Sequence, residues 1–158
     1  IKVSRPNREE SKAILKVYLK EGLPREHADF DAMAEPFLDR LFAQSSEQEV
    51  LVLTLRSGSN RKMYWNDFIS GAVIEGIMKR AKERSIERAI RGETLCLTVE
   101  DLVVSLETEF DEGSLLPAES NLEDWLQLLD MDSKDVVRVR RPNESDKATE
   151  NTMRRSII

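Results

Sequence analysis

"NDFISGAVIEGIMKRAKERSIERAI", Asn66 to Ile90, reads as one long amphipathic helix. Ser70 is placed to cap it, with Gly71 the first helical residue and Ala72 the second. Ile69 and Ile74 take the two staple positions around that start. Ile74, Ile77, Met78, Ala81 and Ile86 make the inward face, and the helix ends near Gly92. A glycine in the first turn offers little helix propensity. Either a neighbouring helix approaches closely there, or the free N–H groups of the turn are kept open to a ligand. The helix dipole favours an anion or an electron-rich ring edge at that end. The residues by themselves leave both explanations standing.

Upstream, Asn7 and Glu10 form a capping-box-like pair before "REESKAILKVYLKEG", which puts Ala13, Ile14, Val17 and Tyr18 on one face before Gly22 and Pro24. A second helix covers about Phe30 to Ala43 with Met33, Phe37, Leu41 and Phe42 inward; Pro36 predicts a kink or a late start. Val50 to Leu55 is β-rich, Ser57-Gly58-Ser59-Asn60 is a turn cluster, and Met63-Tyr64-Trp65 resumes an extended reading, which together predict a hairpin. Downstream, "LTVEDLVVSLETEFDEG" is a helix capped by Thr98 with Asp101 and stopped by Gly113. "NLEDWLQLLD" is a short helix with Asn121 as cap, and "VVRVRRP" is a charged edge strand. The chain opens on an alternating, strand-like "IKVSRP" without an initiator methionine, the expectation for a piece of a longer protein. From Asn143 onward it is polar and aperiodic, and disorder is expected.

The 158 residues suit one domain, or one small domain with an appendage. A charged fraction of 34% predicts a helical, ion-pair-rich surface. The net charge of −6 argues against nucleic acid or an anionic membrane as partner, because both require a basic footprint. One cysteine, Cys96, rules out an internal disulfide and fits a reducing, cytoplasmic setting; "TLCLTV" reads as a small core residue. No apolar run is long enough to span a membrane. Charge is unevenly placed. Arg80, Arg84 and Arg88 recur every four residues, while Gly92 to Ser133 holds acids and no Lys or Arg. That ridge is either a solvated face balanced by Glu83 and Glu87, or it meets the acidic helix of this molecule or of a neighbour.

Chemistry-bearing patterns are lacking. His27 is the only histidine and reads as solvent-facing; Trp65 and Trp125 read as packing residues. There is no metal-ligand spacing, no GxSxG and no GxxxxGK(S/T). Neither catalytic residues nor a metal site is assigned.

The order of segments carries more. "IKVSRPNREESKAILKVYL", followed later by "FISGAVIEGIMKRAKERSI", resembles the small helical (lid) subdomain at the C-terminus of classical AAA ATPases. The inserted hairpin "VLVLTLRSGSNRKMYWNDF" and the later "LPAESNLEDWLQLL" are similar to the proteasome-associated AAA ATPases of actinobacterial type, which form ring-shaped complexes. The resemblance covers about Ile1 to Arg141. It implies a mainly α fold, an AAA+ small helical subdomain with an inserted β-hairpin at about 50–65, short edge strands and a flexible tail over 142–158.

The resemblance implies further that Gly71 and Ala72 lie against the adenine and ribose of a nucleotide held by a large subdomain, with Val17 and Tyr18 flanking the adenine. Ala72 then stands where other AAA+ clades present a sensor arginine. ATP or ADP with magnesium is the implied cofactor, bound mainly outside this segment. Implied partners are neighbouring protomers of a homo-hexamer, protein substrates and a 20S-type proteasome. In this sense the segment would be a lever of a protein unfoldase, not itself catalytic. Two positions depart from the pattern. Val73 stands where many members have a capping Asp, and the chain ends "MRRSII", with Ile157 in place of the penultimate tyrosine of proteasome-docking tails. The rival reading is a stand-alone helical adaptor that binds protein partners.

Overall fold

Side chains that close the first turn begin four helices of the computed structural model, which describes residues 5–20, 23–113, 122–129, 131–132 and 134–142. Asn7 opens α1 (Arg8–Leu19) with a reciprocal box: its side chain accepts from the Glu10 N–H at 2.9 Å, and its own N–H donates to the Glu10 carboxylate at 2.8 Å. Asp29 opens α2 (Phe30–Phe42) by accepting from the Ala32 N–H. Ser70 opens α3 (Gly71–Ile90) by accepting from the Val73 N–H at 3.2 Å, with no carboxylate at Val73 to return the bond. Thr98 and Asp101 form a second box at the start of α4 (Val99–Asp111). Gly92 and Gly113, both at positive φ, follow the ends of α3 and α4. Asn121, the strand-like start at Ile1–Val3 and the tail from Asn143 lie outside the described residues.

The four helices form one compact unit. Leu15 and Leu19 of α1, Met33, Phe37, Leu38 and Leu41 of α2, Ile74, Ile77, Met78 and Ala81 of α3, and Leu102, Leu106 and Phe110 of α4 are its buried core. α2 runs unbroken from Phe30 with Pro36 on its exposed side, so the late start expected from that proline does not occur. The burial pattern corrects two further expectations, for Ile86 and for Cys96. On α1 the buried edge is Ser11–Leu15–Leu19; Ile14 and Tyr18 are only half-buried, and Ala13 and Val17 are exposed. On α3 the buried stripe runs Ile74–Met78–Ala81–Ser85, which leaves Ile86 one helical step off it and exposed. Cys96 is half-buried, and its neighbour Leu97 fills the core instead. Ile86→Lys is accordingly expected to change stability by no more than about 0.5 kcal/mol, whereas Ile77→Ala should cost about 2–5 kcal/mol in urea unfolding.

The arginine ridge of α3 meets the acidic helix of its own chain. Arg80 reaches Glu112 at 2.8 Å and Glu109 at 3.3 Å. Arg88 forks onto Asp101, donates to the Cys96 carbonyl at 2.9 Å and lies beside Glu93. The solvated-face alternative, balanced by Glu83 and Glu87, is therefore not the one taken. A second ladder joins α1 and α2, where Arg8 and Lys12 share Glu35 and reach Asp39 and Asp31 respectively.

These pairs set the acid response. Bonds from Lys12 and Arg8 hold Glu35 below its ordinary 4.5, and Arg80 does the same for Glu112. Burial pushes Asp101 up, but the bonds from Arg88 and Thr98 outweigh it and keep the carboxyl below 3.8. A carboxyl with a depressed native value contributes stability that is complete above its unfolded value and is lost as pH falls through the native one. The urea midpoint should hold from neutral pH down to about 5 and then fall steadily below about 4. A midpoint insensitive to acid would refute this account of the ladders.

The second compact unit holds β1 (Glu49–Leu55), β2 (Asn60–Tyr64), α5 (Leu122–Leu129) and β3 (Val136–Arg140). The expected hairpin forms, with Gly58 at φ 86° in its turn, and Trp65 begins a short 3₁₀ turn instead of extending β2. β3 pairs antiparallel with β1 on its other side, giving a sheet of order β2-β1-β3. Leu51, Val52 and Leu53 of the central strand are all buried in succession, the pattern of a strand covered on both faces. The register shifts between Thr54 and Leu55, so that Val137 has no partner on β1 and is exposed. Trp65 and Trp125 are buried, as packing residues.

Candidate functional site

α1 and α3 are neighbours within the helical unit, and their contact places the four residues singled out by resemblance. A Cβ added at Gly71 would stand 3.9 Å from Ile14 Cδ1, an ordinary contact. Close helix packing is therefore not what requires a glycine at this position. One turn further along both helices, the Tyr18 phenol lies against Glu75, and burial followed by that carboxylate raises its pKa. The two contacts are four residues apart on each helix, which aligns the Ile14–Tyr18 edge of α1 with the first turns of α3.

The start of α3 is open. Ser70 takes the Val73 N–H, and the Ser70 carbonyl takes the Ile74 N–H at 3.0 Å. The N–H groups of Gly71 and Ala72 precede any intrahelical acceptor and meet none among the described residues. α1, α2, α4 and α5 each carry acidic residues in the first turn, and α3 carries none. Its partial positive charge is consequently not offset by its own side chains. The Arg5 guanidinium donates to the Ile69 carbonyl at 3.3 Å, just before the cap. Ile69 and Ile74, both fully buried, fix the approach of the chain as a staple.

Around this opening Ala72 is exposed, Gly71 and Tyr18 are half-exposed, and Val17 is 64% exposed despite being apolar. Among the described residues the opening carries two N–H groups without an acceptor, small side chains and an exposed valine. Among the described residues no group of three His, Cys, Asp or Glu side chains could hold a metal. His27 is exposed. Ile14, Glu75 and Arg5 join the site only in the structure. The sequence signal for Glu75 is its place four residues after Gly71, matching Tyr18 four after Ile14. Among the described residues no helix is long and apolar enough to cross a membrane.

Comparison with known proteins gives one consistent answer. The family model described as the ARC, AAA+ ATPase lid domain matches residues 6–157. The chain is 31% identical to a proteasome-associated ATPase of Thermomonospora curvata and 33% identical to one of Mycobacterium leprae, each over 89% of this chain. It is 29% identical, over 96% of its length, to an AAA ATPase forming ring-shaped complexes from Corynebacterium kroppenstedtii. These alignments span 26%, 25% and 29% of the relatives' own lengths, so the chain corresponds to only part of such proteins.

Proposed function

The chain belongs to the ARC-type AAA+ ATPase lid domain family, and from that premise we propose that it serves as the C-terminal lid of a hexameric, ATP-dependent protein unfoldase. The observation that carries the nucleotide part of this reading is the open start of α3 beside α1. Gly71 and Ala72 present their N–H groups and small side chains to the adenine and ribose, and Val17 and Tyr18 flank the ring. ATP hydrolysis supplies the energy, and its phosphates and magnesium are held by a large subdomain outside this segment. The lid's own work is mechanical. Its helical unit senses the nucleotide at one edge and moves with it, so that turnover becomes motion between neighbouring protomers. In this reading the parent works in the cytoplasm, takes protein substrates and delivers them to a 20S-type proteasome; the relatives' names, proteasome-associated ATPase and AAA ATPase forming ring-shaped complexes, support the proteasome and the ring alone.

Amide hydrogen exchange in the complete protein tests this. Adding a slowly hydrolysed ATP analogue is expected to slow exchange at Gly71 and Ala72, while the amide of Gly58 in the hairpin turn stays unchanged. No nucleotide-dependent protection at Gly71 and Ala72 would leave the chain as a helical interaction module. The coding sequence ahead of Ile1 offers a second check. An in-frame GxxxxGK(S/T) segment followed by an acidic strand is expected there, and an unrelated domain in its place would overturn the assignment.

A further inference from the structure

In the helical unit Arg8, Lys12, Arg40, Arg80, Arg84 and Arg88 each lie within ion-pair distance of a carboxylate. On the sheet, Arg138 and Arg140 of β3 have no carboxylate partner among the described residues. They stand two residues apart, so both side chains emerge on one face of the strand. The register extends that face across the sheet: Val52 lies between Lys62 and Arg140, and Thr54 between Asn60 and Arg138. Lys62 is exposed and pairs with Glu49, the only acid among the three strands. β3 is the last strand of the sheet, bonded to β1 on one side, and no described strand covers its outer edge.

We propose that the outer edge of β3 receives an extended acidic segment of another protein, which adds a strand and sets alternate carboxylates against Arg138 and Arg140. Two independent features meet in that occupant. The edge that no described strand covers offers main-chain donors and acceptors at strand spacing, and the period-two basic face selects acids at every second position. Nucleic acid would satisfy the cations but not the strand-spaced main-chain groups, and the chain's charge of −6 opposes it. Charged side chains on an edge strand also discourage self-pairing. That protective role alone predicts no ligand.

The test uses the full chain and a fluorescent peptide alternating Glu and Thr, with a Lys–Thr peptide and an oligothymidylate as comparators. The Glu–Thr peptide is expected to bind, to be released by added salt, and to slow amide exchange along Val136–Arg140. Arg138→Gln with Arg140→Gln should weaken it by about tenfold or more. Exchange protection on the unmodified chain decides the matter even if those variants fold poorly. The proposal falls if the Glu–Thr peptide does not bind, if the Lys–Thr peptide binds as well, or if the oligothymidylate binds more tightly. It falls too if protection appears away from β3. Self-association of the variants without any peptide binding to the parent chain would assign the arginines to edge protection alone.

Discussion

Asp101→Ala is expected to destabilise the helical unit by about 3 kcal/mol or more, the range found when one partner of a buried ion pair is removed. The carboxylate is 1% exposed and has three tasks. It receives the Arg88 fork, it lies 3.8 Å from Arg84, and it accepts the Thr98 N–H in the box that starts α4. Its loss strands the Arg88 guanidinium between α3 and α4 with only the Cys96 carbonyl and the more exposed Glu93 to meet it. Against a net stability of about 5–15 kcal/mol for a domain, that is a large fraction. Urea unfolding checks it. Arg88→Ala combined with Asp101→Ala should cost less than the two single changes added together, because the second removal no longer leaves a charge behind. Strict additivity would mean that the pair does not act as a unit.

Gly71→Val in the complete ATPase is the second large effect, and it falls on nucleotide handling instead of folding. The space around Gly71 admits a Cβ, with Ile14 Cδ1 at 3.9 Å, and valine is a better helix former than glycine. Stability of the lid should therefore change by less than about 1 kcal/mol. A branched side chain on the first helical residue would, however, stand over the free N–H groups of Gly71 and Ala72. Nucleotide affinity is expected to fall by about tenfold, equivalent to about 1.4 kcal/mol, with turnover falling in step. Gly71→Ala should give a smaller loss in the same direction. Isothermal titration with ADP and steady-state turnover measure both. If Gly71→Val altered only folding stability, the site would be misplaced and the interaction-module reading would gain.

The caps and periods are legible in the sequence because they depend on residues within one or two turns. Asn7 with Glu10 and Thr98 with Asp101 close the boxes that their spacing predicts, and Ser70 starts α3 where its distance from Ile69 and Ile74 puts it. The same locality limits what such patterns carry. Which edge of α1 is buried depends on how α2 and α3 cross it, and Val17 is consequently outside although it shares a face with Ile14. Ile86 is inward by period alone, but the stripe facing α4 passes through Ser85.

The sequence alone therefore determined the order of the elements and the starts of α1, α3 and α4. Local hydrogen bonding and spacing suffice for these. Only the tertiary structure decided that β3 completes the sheet on β1, that the Arg80–Arg84–Arg88 ridge is answered by α4, and that Gly71 has room beside Ile14. Each of these depends on what stands opposite a residue across a gap in the chain, and no spacing along one segment encodes its partner on another.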